Sequence, residues 1–600
     1  WLAVLPTLLL PVCVFAALRL LGAPRRAPAL ALLFSAVFVF NDSYNAWGGN
    51  LKSTLSGQFA HAWALDALLL LAGLLRWEFR RGWPLWSTLA FSAVVLSHAY
   101  VALCLPVLFL AALVLFPAEG ERAAYLRFLV KVGAGGVLLS VWWLWPSVQN
   151  APWTTPYESR WLPNLGSKDW FPAVYWPYAA GLAAATAAFL AGLRTRLGRE
   201  AAVRHVVLWL VLAAFYAFCI DLFPRIGLVD IRAVPQVQLF LFVGGAAALA
   251  VALARARPAA AAWLIGAMAV LVPVHMSLTC DKSLASIRWN WEGWGRKQRT
   301  TEFRRLMSDL QGRLDQPRVV WEHSDVQSSA GGIRAFELLP WFAHRSTLES
   351  LYMQSTVLAP AYYYFQSLVC PKPKCPFPDQ PCGSLNLPRA AALMPFVGAD
   401  TLILSDRKVV DEAARMDAFE RGPTEGPWNV FRLRAPVSLV EVPESIRFEG
   451  GDREGWKMRS RQTFLDWPEV VDWTLERAFL QGADEAAVRA ALKPAGVACH
   501  AAVSTEGQEL RLTTDCPGKL HLLKFAYHPS FRSSGGEPVW LAYPGYMALV
   551  PKEGATTLTF GATPSWKVTD ALSAGAWLAM GGLLAGRVRA RWRRRRPVPA

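Results

Sequence analysis

The chain lacks the signatures of most soluble enzyme chemistry. It has no GxxxxGK[ST] loop, no GxGxxG after a strand, no HExxH and no GxSxG. ATP-driven transport, nicotinamide chemistry, zinc proteolysis and serine hydrolysis therefore find no support. There is no internal repeat, and the only low-complexity tract is a basic tail. Charge is scarce: 18% of the 600 residues are Asp, Glu, Lys or Arg, against 54% hydrophobic, and acids are outnumbered 44 to 61. The opening Trp1-Leu-Ala-Val-Leu5 has no initiator Met and no basic region before a cleavage site, so it is not a secretory signal. The net charge of +17 does not mark a nucleic-acid partner. Much of the surplus falls in short links between apolar stretches and in the tail 587–596, where it orients membrane segments and meets anionic headgroups.

What the chain does have is alternation. Links around Arg25-Arg26, Arg76/Arg80/Arg81, Arg122/Arg127/Lys131, Arg194/Arg196/Arg199/Arg204, Arg255/Arg257 and 587–596 are basic, whereas the links 41–61 and 149–177 between them carry few basic residues. Short links rich in Lys and Arg stay in the cytoplasm. Apolar stretches at 1–21, 27–40, 62–75, 83–96, 101–116, 132–148, 178–193, 205–220, 237–254, 260–276 and 571–585 predict about eleven spans. The expected fold class is a polytopic α-helical membrane protein with a large non-cytoplasmic α+β domain that ends in a β-sandwich-like module. The expected domains are a membrane domain over 1–280, an α/β region over 281–494, a β-rich module over 495–569, a last helix over 570–586 and a cytoplasmic tail over 587–600. On this alternation Trp1 lies on the non-cytoplasmic side, and a first helix and outer loop are expected upstream of it.

Within the soluble stretch, Phe303, Leu306, Met307, Leu310 and Leu314 fall on one helical face, 318–322 and 401–405 look like buried strands, and 411–419 and 484–492 look helical. From Val497 onward short strands alternate with turn signals. Cys280, Cys370, Cys375, Cys382, Cys499 and Cys516 all fall in the region assigned to the outside, where disulfides form; Cys499 with Cys516 is the best pair. The spacing of Cys370, Cys375 and Cys382 suits disulfides better than a zinc site. Cys13, Cys104 and Cys219 fall in apolar segments and read as core.

Several segments, in order, carry a resemblance: Gly48-Gly-Asn-Leu-Lys-Ser-Thr-Leu-Ser-Gly-Gln-Phe59, Ser97-His98, Asp230-Ile-Arg232, Trp289-Asn-Trp-Glu-Gly-Trp294 and Phe336-Glu-Leu-Leu-Pro340. They resemble a bacterial membrane family labelled 6-pyruvoyl-tetrahydropterin synthase-related, although the histidine cluster of the soluble pterin enzyme is absent. In architecture that family resembles the GT-C superfamily of multi-spanning glycosyltransferases. The resemblance implies transfer of a sugar from a polyprenyl-phosphate donor to a glycan or lipid acceptor outside the cytoplasmic membrane. It also implies that the main catalytic aspartate lies in the loop upstream of Trp1.

Such a transfer needs a base or a metal-holding carboxylate, a cation for the leaving phosphate and an outward-facing groove. Asp42, in Asn41-Asp42-Ser43, reads as an auxiliary base or a ligand for a divalent metal (Mg or Mn), or else as a helix cap. His98 at the turn between two short helices reads as a base or as a hydrogen-bonded buried histidine. Arg232 and Arg225 read as phosphate ligands, or as partners of Asp230 and Asp221. His61, Trp153, Tyr157, Glu158 and Arg160 are candidates for the substrate groove, with interfacial anchoring as the competing reading of the aromatics. Asp66, nominally inside the membrane, reads as a site or as a buried partner of another polar group. A non-catalytic membrane scaffold or glycan-binding component of envelope polysaccharide assembly is the alternative function. A carrier or transporter lacks the paired, Gly/Pro-broken helices expected of one.

Overall fold

The computed structural model describes residues 2–594 except 163, 193–200, 255–257, 350–353, 374, 378–381, 453–454, 468–471 and 481–483. The basic-link residues Arg194, Arg196, Arg199, Arg255 and Arg257 and the tail residues Arg595 and Arg596 lie outside the described residues. The chain divides into two compact units. One comprises Trp1–Gln149, Arg160–Trp291 and Pro564–Ala600; the other comprises Asn150–Ser159 and Glu292–Thr563.

The first unit is helical and built for a membrane. Among the described residues six helices are long and apolar enough to cross one: Leu51–Phe79, Arg122–Trp153, Val203–Arg225, Asp230–Leu253, Pro258–Thr279 and Pro564–Arg587. The expectation of about eleven spans is therefore corrected to six. Other stretches predicted as spans are helices but short, among them Leu5–Leu21, Ala27–Val39 and Leu85–Ser97. Ala27–Val39 has 13 residues, and at 1.5 Å per residue it reaches about 20 Å, short of a hydrocarbon core about 30 Å thick. Breaks enforce these lengths. Gly22 takes a left-handed φ of 72° and closes the first helix. His98 is extended, at φ −160° and ψ 117°, and separates Leu85–Ser97 from Ala99–Ala102. Hydropathy counted these helices as spans because burial in protein demands the same side chains as burial in lipid. Ala27–Val39 has Leu30, Phe34, Val37 and Phe38 in the protein interior. The helix Phe59–Phe79 packs tightly on Leu5–Leu21 at Gly73, where a Cβ would lie 2.9 Å from the carbonyl oxygen of Ala17.

The second unit is α+β. Its strands are β1 (Arg318–Trp321), β2 (Ala399–Leu404), β3 (Phe419–Glu425), β4 (Trp428–Leu433), β5 (Val440–Glu441), β6 (Ile446–Glu449), β7 (Trp473–Glu476), β8 (Ala501–Glu506), β9 (Glu509–Thr514), β10 (His521–Ala526), β11 (Phe531–Ser533), β12 (Trp540–Ala542), β13 (Tyr546–Leu549) and β14 (Ala555–Phe560). They form a sheet β1-β2-β4-β3, a sheet β5-β10-β13-β12-β7-β6 and a sheet β11-β14-β9-β8. The predicted strands at 318–322 and 401–405 are β1 and β2, paired in parallel. The helix Thr300–Asp309 buries Phe303, Leu306 and Met307 as its periodicity demands. The helix expected at 411–419 runs instead over Arg407–Ala413, because the Asp406 carboxylate accepts the N–H groups of Lys408 and Val409 and starts it earlier.

The β-sandwich expected at 495–569 is not formed. Its strands divide between two open sheets: β8, β9, β11 and β14 stay together, while β10, β12 and β13 join β5, β6 and β7 from earlier in the chain. The direct cause is pairing of Leu522 and Leu523 in β10 with Glu441 and Val440. Alternating side chains specify a strand and its faces, but not which backbone edge satisfies it.

Two disulfides form, Cys499–Cys516 and Cys375–Cys382. Cys280 remains a thiol. The Cys370 sulfur, also outside a disulfide, accepts the backbone N–H of His323 at 3.1 Å.

Candidate functional site

In the helical unit, polar groups gather around the loop that joins Ala27–Val39 to the helix at Leu51. Asn50 organises this loop. Its amide donates to the carbonyls of Asn41 (2.7 Å) and Tyr44 (3.0 Å), and its side-chain oxygen caps the next helix at the Ser53 N–H. Ala46, Gly48 and Gly49 all take positive φ. Gly48 must be glycine for a second reason: a Cβ there would sit 2.5 Å from His61 Nδ1. The loop backbone can thus lie directly on the His61 ring.

His61 is fully buried, and its ring meets that of His98 edge-on at 4.7 Å between centroids. Its Nε2 lies 2.9 Å from the amide nitrogen of Gln236, so with the amide donating, the ring accepts there and carries its proton on Nδ1. Arg232 donates from Nη1 to the Ala46 carbonyl, and its charge acts on both imidazoles. Tyr100 stacks 5.4 Å from His98 and accepts the N–H of Val229. Asp230 accepts the N–H groups of Trp161 and Ile231 and so shapes the short turn that carries Arg232. Nδ1 of His98 and Oε1 of Gln236 are buried without a hydrogen-bond partner among the described residues. Buried polar atoms are rarely left so. The arrangement therefore offers a guanidinium, two imidazoles and an amide around one point, a donor-rich set suited to an anion and a proton.

Three nominated residues, His61, His98 and Arg232, are thus brought together; Gln236 joins them without having been anticipated. The available signal was an amide inside an otherwise apolar span. Gln238, on the same helix, is the second such amide and accepts from the hydroxyl of Tyr44 at 2.9 Å. Asp42 belongs to the same loop but is engaged: its carboxylate accepts the N–H groups of Lys282 (2.8 Å) and Ser283 (3.1 Å) and the Ser283 hydroxyl. It caps the helix Asp281–Trp291, far away in sequence. Surrounded by donors, and in no group of three or more His, Cys, Asp or Glu among the described residues, Asp42 does not present the donor set of a divalent metal. Arg225 is exposed at the end of its helix. Arg160 pairs with Asp221 on the surface. Asp66 is buried in Phe59–Phe79, its carboxylate beside Cys13.

Trp153, Tyr157 and Glu158 fall in the other unit. Trp153 is packed among Trp456, Phe479 and Tyr527. Tyr157 lies 5.3 Å from Phe377. The charge of Glu158 acts on Lys457, whose pKa burial nevertheless lowers to about 8. Elsewhere in this unit one buried cluster pairs its polar groups internally. His323 bonds Glu349 at 2.8 Å, and Arg334 reaches Glu349 and Glu337. Burial pushes Glu337 up to about 7 despite that guanidinium, whereas Glu349, with His323 as a hydrogen-bond donor, is held below its ordinary value. One group has three ligand-type atoms within 4.8 Å of one another, Cys499, Asp515 and Cys516, but its two sulfurs are joined in a disulfide, which leaves no thiolate for a metal.

A family profile described as "6-pyruvoyl-tetrahydropterin synthase related domain; membrane protein" matches residues 2–282. No curated protein matches the sequence significantly. Among solved structures, arabinofuranosyltransferase AftD from Mycobacteria is similar at 14% identity and a TM-score of 0.38, over 93% of this chain and 51% of that one. A mutant form of AftD is similar at 13% identity and a TM-score of 0.40, over 93% and 53%. ArnT from Cupriavidus metallidurans is similar at 14% identity and a TM-score of 0.36, over 72% and 82%. The chain spans about half the length of the AftD chains it matches. What it shares with these GT-C membrane proteins is a distant and partial resemblance.

Proposed function

We propose that the chain is a membrane glycosyltransferase that moves a sugar from a polyprenyl-phosphate donor to an envelope glycan or lipid on the outer side of the cytoplasmic membrane. The observation that carries this reading is the convergence of Arg232, His61 and His98 against the Gly48-Gly49 backbone, with imidazole and amide atoms left unpartnered. In the reaction an acceptor hydroxyl oxygen forms a bond to the anomeric carbon as the bond from that carbon to the phosphate oxygen breaks. The polyprenyl phosphate leaves with the electron pair. Arg232 meets the charge that grows on the phosphate, and Arg225 adds a second cation at the exposed end of its helix. His98 takes the acceptor proton, and His61 and Gln236 hold it in place. Asp42 acts by positioning, because its carboxylate ties the loop to the helix Asp281–Trp291; no step is assigned to a metal.

Sidedness follows from two spans. Pro258–Thr279 leads into the soluble unit and Pro564–Arg587 leads out of it, and basic residues lie at the far end of each. Lys and Arg mark the cytoplasmic side, which supports placing the soluble unit outside, where its disulfides are stable. An impermeant reagent applied to intact cells should reach a tag at Thr401 but not one at the C-terminus.

The test of function is transfer from polyprenyl-phosphate sugars by the full-length protein, comparing wild type with Arg232→Ala and His98→Ala. Each substitution should cut turnover by about 10²–10³-fold with folding intact. Unchanged turnover in Arg232→Ala removes the reading. A protein that binds glycan but transfers nothing favours a non-catalytic scaffold of envelope polysaccharide assembly, to which the engaged state of Asp42 already lends weight.

A further inference from the structure

The transfer reaction makes no use of the motif Trp289-Asn-Trp-Glu-Gly-Trp294. Its first half ends the helix Asp281–Trp291, which follows the span Pro258–Thr279 after a single residue, Cys280. The span has 22 residues. At 1.5 Å per residue it reaches about 33 Å, enough for a hydrocarbon core about 30 Å thick. The 11 residues of the second helix therefore lie beyond that core. The break at Cys280 permits this helix to leave the line of the span.

Its sequence is two-faced. Leu284, Ile287 and Trp291 recur at i, i+3 and i+7 and share one face, whereas Lys282, Ser286 and Asn290 recur at i, i+4 and i+8 and share another. The polar stripe is tied down: Ser286 donates to the carbonyl of Lys282, and Asn290 to that of Ser286, both at 2.8 Å. The apolar stripe is uncovered. Leu284, Ile287 and Trp291 are 51%, 39% and 83% exposed, and Ser283 is the one buried residue of the helix. The same spacing marks the preceding span, where Leu271, Val274 and Leu278 form an outward apolar stripe suited to lipid. The second helix continues that surface past the end of the span.

Its position at the membrane boundary is also fixed from the other side. The Asp42 carboxylate accepts the N–H groups of Lys282 and Ser283, which fastens the first turn to the loop 41–50 of the same unit. Lys282 and Arg288 are exposed and place cations at headgroup level. Tryptophan, with an apolar body and one N–H, is enriched at that depth.

We propose that Asp281–Trp291 is an interfacial helix that lies along the leaflet next to Thr279, with Leu284, Ile287 and Trp291 in the acyl boundary and Lys282, Ser286 and Asn290 toward water. The partner is the lipid surface. Through Asp42 the loop that rests on His61 is thereby fastened to the membrane surface. The inference concerns contact with lipid and stands or falls independently of the transfer reaction.

The test is electron paramagnetic resonance on the full-length protein in nanodiscs of phosphatidylethanolamine and phosphatidylglycerol. A spin label is attached in turn to the Ile287→Cys, Trp291→Cys and Ser286→Cys proteins. The free native thiols are buried, and the unsubstituted protein gives the background. Collisions with oxygen, which concentrates in lipid, are compared with collisions with a neutral nickel chelate, which stays in water. Labels at positions 287 and 291 should favour oxygen severalfold over the label at 286. Adding Leu284→Glu should shift the label at 287 toward nickel, because a carboxylate on that face does not enter the acyl boundary. Melting temperatures report whether each variant folds, and Ile287→Cys keeps Trp291 in place should the fold depend on it. Labels at 287 and 291 that meet nickel as freely as the label at 286 put the face in water and overturn the proposal. Labels there that meet neither reagent reveal a covering polypeptide, a second copy included, and overturn it as well.

Discussion

The two units turn their large apolar side chains in opposite directions. In the helical unit Trp263, Leu278 and Leu578 are 80%, 73% and 79% exposed, on helices with almost no charge to separate them. In the soluble unit Trp321 and Trp428 are at most 1% exposed, and the surface is held by ion pairs such as Arg477–Glu485. Both units also bury polar groups, Glu476, His521 and Lys524 in the soluble unit and His61, Gln236 and Asp42 in the helical one, but in the helical unit hydrocarbon cannot satisfy them. The lesson is that the same residue type means different things in the two solvents. A buried histidine is an ordinary packed group in the soluble unit and a place to look for chemistry in the membrane.

The comparison can be broken most directly by a pair of truncations. Trp428→Ala should cost the soluble unit about 3–5 kcal/mol, whereas Leu578→Ala, on an outward face, should stay within about 0.5 kcal/mol. Thermal unfolding in detergent reads both, and equal losses would mean that the outward apolar face is not facing lipid. Next in size, Gly48→Ala should lower transfer by about 10²-fold while leaving the melting of the soluble unit unchanged, because its methyl group would displace His61 from the cluster. Of similar size is the effect of the disulfide Cys499–Cys516, which closes a 17-residue separation. Cys499→Ser with Cys516→Ser should lower stability by about 3 kcal/mol, in the soluble unit only. A pH-dependent effect sharpens the contrast in charge. Glu337 titrates at about 7 when folded and near its ordinary 4.5 when unfolded. The folded state therefore holds that proton more tightly, and its contribution, complete below pH 4.5, is lost as the pH rises to about 7. Glu337→Gln should flatten that part of the pH–stability profile; an unchanged slope would show that Glu337 is not the group responsible.

Much of this was legible beforehand. The residues of the helix Thr300–Asp309 announced their buried face, strands β1 and β2 announced themselves by continuous apolar runs, and the pair Cys499–Cys516 by its setting. The candidate cluster was half legible: His61, His98 and Arg232 drew notice as polar residues near apolar segments, and Gln236 should have done so for the same reason. Asp42 caps a helix, one of its two sequence readings, but which helix could not be read, because its partners Lys282 and Ser283 are 240 and 241 residues away in the chain.

Composition and charge spacing alone settled that this is a multi-pass membrane protein with a large soluble insertion, because hydropathy and arginine placement act locally along the chain. Tertiary structure decided which apolar helices are long enough to cross a membrane and which are walled in by protein, which strand edges meet, and which polar side chains share a point. Those outcomes depend on partners remote in sequence, and the apolar or alternating pattern that makes a segment fit to be buried is the same whatever buries it.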